Sequence, residues 1–114
     1  KSMINREQWE NLWDNINNSV KNWRSPESKN YSNKGDITFD GHRIEWHHHY
    51  SKNYEGVSFN SIAVYHYLPN EIFAYEKIWK KEGSGVSCDI SASKIKSLRE
   101  NVEKYLKKMD MEIC

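Results

Sequence analysis

Residues 42–68 read HRIEWHHHYSKNYEGVSFNSIAVYHYL, and this stretch decides the fold. Residues 43–50 alternate between apolar and polar side chains, which indicates a strand with one buried face. Residues 57–68 carry apolar side chains on both faces, which is typical of a central strand. The turn-forming residues 51–56 lie between them, so the two segments are predicted to pair as an antiparallel hairpin.

Weaker strand signals extend this hairpin on both sides. Residues 37–39 precede Asp40-Gly41, a pair preferred in type I′ turns, and are predicted to pair with the strand that follows. After the turn at Pro69-Asn70, residues 71–80 alternate again and predict a fourth strand. Residues 86–90 are a candidate for a short fifth strand. Polar stretches rich in Pro, Ser, Asn, Lys and Gly predict loops over 25–35 and 81–85.

Residues 5–24 predict a helix at the start of the chain. Asn5 is a suitable N-cap, and Gln8 lies three residues later, at the capping-box position. Pro26 ends the helix, because the residue before a proline avoids the helical conformation. The apolar positions recur at three- and four-residue spacing. They are Trp9, Leu12, Trp13, Ile16, Val20 and Trp23.

Residues 91–109 predict a second helix, with Ser91 or Ser93 as its N-cap. Its apolar stripe consists of Ile95, Leu98, Val102, Tyr105, Leu106 and Met109. A helix with one apolar stripe must bury it against another element, so both helices are expected to pack on the same face of the sheet or to flank it. The expected fold is α+β: an N-terminal helix, an antiparallel meander of four or five strands and a C-terminal helix, in one domain over residues 1–114.

The composition limits the classes of partner. The 114 residues carry a net charge of +1 although 29% of them are charged, and they include five Trp and seven Tyr. Proteins that bind nucleic acids usually carry a basic surplus, so the balance argues against that class. No stretch approaches the ~20 apolar residues of a membrane span, which argues against a membrane protein.

The two cysteines are expected to be free. A helix over residues 91–109 is ~28 Å long at ~1.5 Å per residue, and the five residues after it reach back only ~17 Å. Cys114 therefore cannot approach Cys88 within the ~7 Å that a disulfide requires. Free thiols suit a reducing compartment, and the chain shows no apolar signal segment. We therefore expect a cytoplasmic monomer.

The candidate binding site lies on the polar face of the second strand and on the turn after it. Alternation places His48 inward among aromatic residues and its two histidine neighbours outward. Exposed aromatic and charged side chains without a structural role are what protein interfaces use. The predicted partner-binding residues are Arg43, Glu45, His47, His49, Lys52, Tyr54 and Glu55.

The histidine triplet leaves other interpretations open. His47 and His49 project together and could chelate a divalent metal with Glu45 as a third ligand. The alternative is that both are merely solvated, and no metal ligand or cofactor is assigned. Trp46-His47-His48 resembles the Trp-His-His signature of toxin nucleases of the HNH/endonuclease VII group, but the histidines and glycine pair that follow in that group are missing.

Two further groups are candidates for catalysis. His66 could act as a general acid or base with Glu45 or Glu76 on neighbouring strands, although a half-buried histidine that stacks on neighbouring tyrosines is the commoner case. Cys88 precedes a helix N-terminus, where a thiolate is favoured, but a small buried cysteine is the commoner case. No catalytic residue is assigned.

Three classes of function remain. The order of helix, strands and helix resembles the double-stranded-RNA-binding domain, which implies a lysine-rich helix start; Lys94 and Lys96 are present, but the inner face of that helix is not alanine-rich. Strand aromatics could also stack bases.

The favoured class is a protein-binding module, namely an immunity protein or inhibitor that neutralises a bacterial toxin or other enzyme. The Lys-, Asn-, Ile- and Tyr-rich composition resembles bacterial or phage proteins from AT-rich mobile DNA. A small histidine-dependent nuclease or hydrolase and a nucleic-acid-binding regulator are the alternatives.

Overall fold

The computed structural model describes residues 1–23, 30–84 and 88–114. Its elements follow the chain as a short strand, a helix, four long strands, a second helix and a second short strand. They are β1 (Ser2–Ile4), α1 (Arg6–Asn22), β2 (Asn30–Phe39), β3 (His42–Lys52), β4 (Val57–Leu68), β5 (Ile72–Ser84), α2 (Ala92–Lys108) and β6 (Met111–Ile113). The predicted α+β class is confirmed. Within the described residues, neither helix is long and apolar enough to cross a membrane.

Both helices begin at the predicted caps. The Asn5 side chain accepts a hydrogen bond from the backbone N–H of Gln8, and the Ser91 side chain accepts one from the N–H of Lys94. Each bond satisfies a donor that the first helical turn leaves without a partner. Helix α1 ends at Asn22, slightly before the predicted end.

The four long strands form an antiparallel sheet in the order β2-β3-β4-β5. Asp40 and Gly41 both adopt positive φ angles, of 49° and 81°, which is the type I′ geometry predicted for this hairpin. Asn70 has a φ of 71° and turns the chain between β4 and β5. The meander is therefore as the turn residues indicate.

The outer strands are longer than predicted. Strand β2 begins at Asn30, where Asn30 pairs with Ser51, and not at residue 37. Strand β5 continues to Ser84, so residues 81–84 do not form the predicted loop. Both extensions are polar segments of edge strands. They are held by backbone hydrogen bonds to an inner strand, which side-chain patterns do not reveal.

The predicted fifth strand over 86–90 is not formed where the structure describes it. Residues 86 and 87 lie outside the described residues, and Cys88–Ile90 are not in a strand. Three other predicted positions also lie outside the residues that the structure describes. They are Arg24 at the end of the first predicted helix, residues 25–29 of the first predicted loop and residue 85 of the second.

A second, two-stranded sheet joins the two ends of the described chain. Strand β1 pairs in parallel with β6, with Ser2 opposite Met111 and Ile4 opposite Ile113. Ile4 is completely buried, and its carbonyl accepts a hydrogen bond from the N–H of Cys114. Segments of three residues are too short to show a periodic pattern, so this pairing was not predicted.

Both helices pack on the same face of the large sheet. Helix α1 contacts β2 and β3, whereas α2 contacts β5 and β6. The core between them includes Trp9, Trp13, Ile44, Ile62 and Val102, all at most 2% exposed. We call this side of the sheet the covered face. It consists of alternate residues of each strand, including the predicted inward residues of β3.

A charged cluster joins the two helices at the edge of this core. Arg99 of α2 bonds both carboxylate oxygens of Glu10 of α1, at 2.6 and 3.0 Å, and also contacts Glu103 at 2.9 Å. The indole N–H of Trp9 donates to Glu103 at 2.8 Å. Hydrogen bonding to Arg99 lowers the pKa of Glu10. The cluster fixes the relative position of the helices over the sheet.

His48 ties α1 and the segment before α2 to the covered face. Asn60 donates its amide to the carbonyl of Cys88, so its Oδ1 accepts from Nε2–H of His48 at 2.7 Å. The Nδ1 atom of His48 lies 2.7 Å from the hydroxyl of Ser19. Both ring nitrogens are thus satisfied in the neutral form, and burial lowers the pKa of His48.

His66 makes a second buried contact, toward α2. Its Nε2 lies 3.0 Å from Nδ1 of His42, and its Nδ1 lies 2.6 Å from the hydroxyl of Tyr105. The side chain is 1% exposed. Burial, and to a smaller degree the neighbouring His42, lower the pKa of His66 to about 4. The folded chain therefore holds His66 neutral.

The cysteines are free, as expected. Cys88 is buried, and its thiol donates to the carbonyl of Ser58. Cys114 is exposed.

Replacing Trp13 with Ala should lower the free energy of unfolding by about 3–5 kcal/mol, because a buried aromatic side chain is removed from the junction of α1 and the sheet. Urea denaturation monitored by circular dichroism measures the change. The exposed neighbour Asn11→Ala is the control and should change stability by less than about 0.5 kcal/mol. A loss below about 1 kcal/mol for Trp13→Ala would show that α1 is not docked as described.

The free energy of unfolding should also fall as the pH falls through the range in which the buried imidazole of His66 is protonated. The unfolded chain protonates His66 near pH 6.5 but the folded chain only near pH 4, so the unfolded state binds more protons in between. Between about pH 7.5 and about pH 5, this one group should remove about 2 kcal/mol. His66→Gln should reduce that loss, whereas the exposed His49→Gln should keep it. Equal pH profiles for the parent and the His66 variant, measured by urea denaturation, would contradict the assignment.

Candidate functional site

The opposite face of the large sheet is not packed against either helix, and we call it the open face. Strand alternation and the pairing register define its members. They include Lys34 and Asp36 of β2; Arg43, Glu45, His47 and His49 of β3; Phe59, Ser61, Ala63, Tyr65 and Tyr67 of β4; and Phe73, Glu76, Ile78 and Lys80 of β5. The face is rich in aromatic side chains for a surface that no described element covers.

A depression forms at the middle of the open face because of side-chain size along β4. Ser61 and Ala63 are small and form its floor, whereas Phe59 and Tyr65 stand at its two ends. Neighbouring strands supply the sides: His49 and Lys80 lie beside Ser61, and His47 and Ile78 lie beside Ala63. We call this the central depression. Its volume is about 590 Å³.

Ring contacts order the walls of the central depression. His47 meets the ring of Tyr65 edge-on at 5.2 Å between centroids, and His49 lies 6.1 Å from the ring of Phe59. The ammonium of Lys80 lies 5.6 Å above the same Phe59 ring. These cation–π and aromatic contacts hold the polar groups around the rim.

An aromatic cluster lies beside the depression, toward the β4–β5 turn. Tyr65, Tyr67 and Phe73 form it, with ring centroids 6.0–6.5 Å apart. Phe73 is 55% exposed. Burial, and to a smaller degree Glu76, raise the pKa of Tyr65. The cluster depends on a bulge between His66 and Tyr67, which shifts the register so that Phe73 joins the open face with Tyr67.

Arg43 is fixed against this cluster. Its guanidinium lies 4.3 Å from the centroid of Tyr67, and it bonds Glu45 at 2.7 Å and Glu71 at its other nitrogen. Hydrogen bonds to the two carboxylates raise the pKa of Arg43. Glu45 also lies 3.3 Å from Nε2 of His47. The chain of contacts therefore runs from Glu71 to the rim of the depression.

The structure divides the predicted binding residues into two groups. Arg43, Glu45, His47 and His49 lie on the open face, and His48 points to the covered face, as alternation predicts. Lys52 lies at the far end of β3. Tyr54 and Glu55 lie in the turn beyond it, where Tyr54 is fully exposed. Positions 43 and 52 are ~30 Å apart along the strand, so the seven residues do not form one compact patch.

The sequence interpretation missed the residues that shape this surface. The alternation Phe59-x-Ser61-x-Ala63-x-Tyr65 places two small residues between two aromatic ones on one face of a central strand, and it was readable from the sequence. The contribution of Phe73 was not readable, because it depends on the bulge in β4–β5 pairing. Strict alternation over the predicted strand 71–80 would place Phe73 and Ile78 on opposite faces, and the bulge makes that expectation wrong.

The catalytic and metal interpretations find no support in this geometry. His66 faces α2 and not Glu45 or Glu76, which lie on the open face. His48, the last residue of the Trp-His-His resemblance, is buried between Ser19 and Asn60. Over residues 1–23, 30–84 and 88–114, no three His, Cys, Asp or Glu side chains converge on a possible metal position.

Comparison with protein-family models, curated proteins and solved structures found no match to the chain.

Proposed function

We propose that the protein binds another protein through the open face and acts as an inhibitor or immunity protein that neutralises a toxin or other enzyme by covering it. The observation that carries the proposal is the exposed aromatic and apolar surface of that face. Phe73 and Ile78 are 55% and 45% exposed, and they lie on the edge strand β5 opposite Tyr67 and Ala63 of β4. Exposed apolar patches rimmed by polar residues mark interaction sites.

The extent of the open face suits an interface that inhibits by occlusion. Four strands ~4.8 Å apart, each of about ten residues, present ~600 Å² of nearly flat area. A stable protein complex typically uses ~800 Å² on each partner. The open face supplies most of this area, and the exposed Tyr54 in the neighbouring turn adds to it.

The distribution of charge favours a protein over a polyanion. The basic residues of the open face alternate with acidic ones: Asp36 follows Lys34 on the same face of β2, and Lys80 pairs with Glu82 at 3.5 Å. Arg43 is neutralised by Glu45 and Glu71. Nucleic acids require unpaired positive charge to displace counterions from phosphates, whereas protein interfaces combine aromatic centres with mixed charge.

The open face is also largely ordered before binding. Arg43 is held by two carboxylates and a tyrosine ring, and its side chain is 22% exposed. Fixing such a side chain on binding costs little further entropy, which improves affinity. Arg and Tyr are also the residue types most often found at energetic centres of interfaces. Lys52, Tyr54 and Glu55 would then form the margin of the interface, where single truncations cost less.

Replacing Tyr67 or Phe73 with Ala should weaken binding to the partner by about 2 kcal/mol or more, on the order of thirtyfold in affinity. The partner is first captured from a bacterial lysate on the immobilised protein and identified by mass spectrometry. Affinities are then measured by isothermal titration calorimetry, and the partner's enzymatic activity is followed as the protein is added. Inhibition that is complete at one equivalent is expected.

Ile72→Ala is the matched control. Ile72 is adjacent in sequence, is 57% exposed and pairs with Leu68 outside the aromatic cluster, so its loss should leave affinity unchanged. Unchanged binding by both the Tyr67 and the Phe73 variants, with loss on changing the exposed Lys96, would place the interface on α2. Recovery of RNA in place of a protein would contradict the proposal.

A further inference from the structure

We propose that the central depression binds a carboxylate side chain, an aspartate or glutamate that the partner inserts into it. This inference rests on the proposed function and names the chemistry at the centre of that interface. The depression lies on the central strand β4, between Phe59 and Tyr65. A partner seated on the open face must therefore either fill it or leave it as trapped solvent.

Each of the polar side chains on the rim of the depression can donate a hydrogen bond, and the histidines and Ser61 can also accept one. Lys80 offers three N–H groups and no acceptor, while His47, His49 and Ser61 each offer at least one donor in any protonation state. Among the described residues, no aspartate or glutamate lines the depression. The complement of such a lining is an acceptor, and bonds between ionised donors and carboxylates are about twice as strong as neutral ones.

The nearest acidic groups lie outside the depression and orient its donors. Glu45 lies 3.3 Å from Nε2 of His47, and Glu82 lies 3.5 Å from Nζ of Lys80. Both contacts involve partly exposed side chains, whose attraction is weak. An incoming carboxylate can therefore share or replace Glu82 as the partner of Lys80.

The apolar walls suit the remainder of such a side chain. Phe59, Tyr65 and Ile78 surround the donors, and Ala63 supplies an apolar part of the floor. The methylene groups of a glutamate can pack against these walls while its carboxylate reaches the rim. A partner seated on the open face would exclude water from the depression, which strengthens the charged hydrogen bonds.

A single carboxylate fits this site better than a chain of phosphates. At one end of the depression, Glu45 and Glu76 lie opposite Tyr65 on the two neighbouring strands. At the other end, Glu82 lies opposite Phe59. A polynucleotide that followed the strand would bring successive phosphates close to these carboxylates. Like charges at such short range are repelled. One acidic side chain entering from above avoids them.

The test uses two peptides that differ at one residue: acetyl-Gly-Tyr-Glu-Leu-Gly-amide and the same peptide with Gln in place of Glu. Binding is followed by chemical-shift changes at the backbone amides of Ser61 and Ala63 in the folded, full chain. The Glu peptide should bind about tenfold more tightly, equivalent to ~1.4 kcal/mol. Lys80→Ala and His49→Ala should each reduce the preference to less than about threefold. Lys104→Ala, which removes an exposed lysine of α2, should retain it.

Equal affinities for the two peptides, or no shift at Ser61 and Ala63 at millimolar peptide, would overturn the inference. Tighter binding of an octamer of deoxythymidine than of the Glu peptide would do so as well. The partner measurements separate this inference from the proposed function. If Lys80→Ala leaves partner affinity unchanged while Tyr67→Ala abolishes it, the carboxylate site is wrong and the interface stands. If both variants bind the partner like the parent, the interface itself is wrong.

Discussion

The structure depends on the burial of two helical stripes against one face of a single four-stranded sheet. Each helix has one apolar side and must bury it, and both do so on the covered face. The buried imidazoles reinforce that choice, because His48 bonds α1 through Ser19 and His66 bonds α2 through Tyr105. Packing the helices on the open face would bury its charged residues, so packing them on the covered face is strongly favoured.

The same constraint leaves the open face without a packing role and available for recognition. Its features arise from backbone and size effects in β4 and not from any single reactive group. Two small residues between two aromatic ones create the central depression, and one bulge brings Phe73 beside Tyr67. Arg43 links both features through Glu45. The resulting surface has shape and fixed charge positions, which is what selective protein recognition requires.

Side-chain periodicity was sufficient for the helices and the inward direction of His48, because burial imposes a period on each of these, and the turn residues were sufficient for the hairpins. It was insufficient where backbone pairing alone extends an element, as at Asn30–Lys34 in β2 and in the pairing of β1 with β6. It also missed the aromatic cluster, because strand register past the bulge depends on tertiary pairing. The predicted β3 residues lie on the open face, and the β4 and β5 residues that share this face were not among the predicted ones.

Hydroxyl-radical footprinting of the free protein and of its complex tests the central claim most directly, namely that one face is packed and the other is the binding surface. In the free protein, Tyr67 and Phe73 should be modified much faster than Trp9 and Trp13, which are buried under the helices. On complex formation, Tyr67 and Phe73 should become protected while the exposed Met109 of the helical side stays reactive. Rapid labelling of Trp9 and Trp13 in the free protein, or protection of Met109 with no change at Tyr67 and Phe73, would contradict this account.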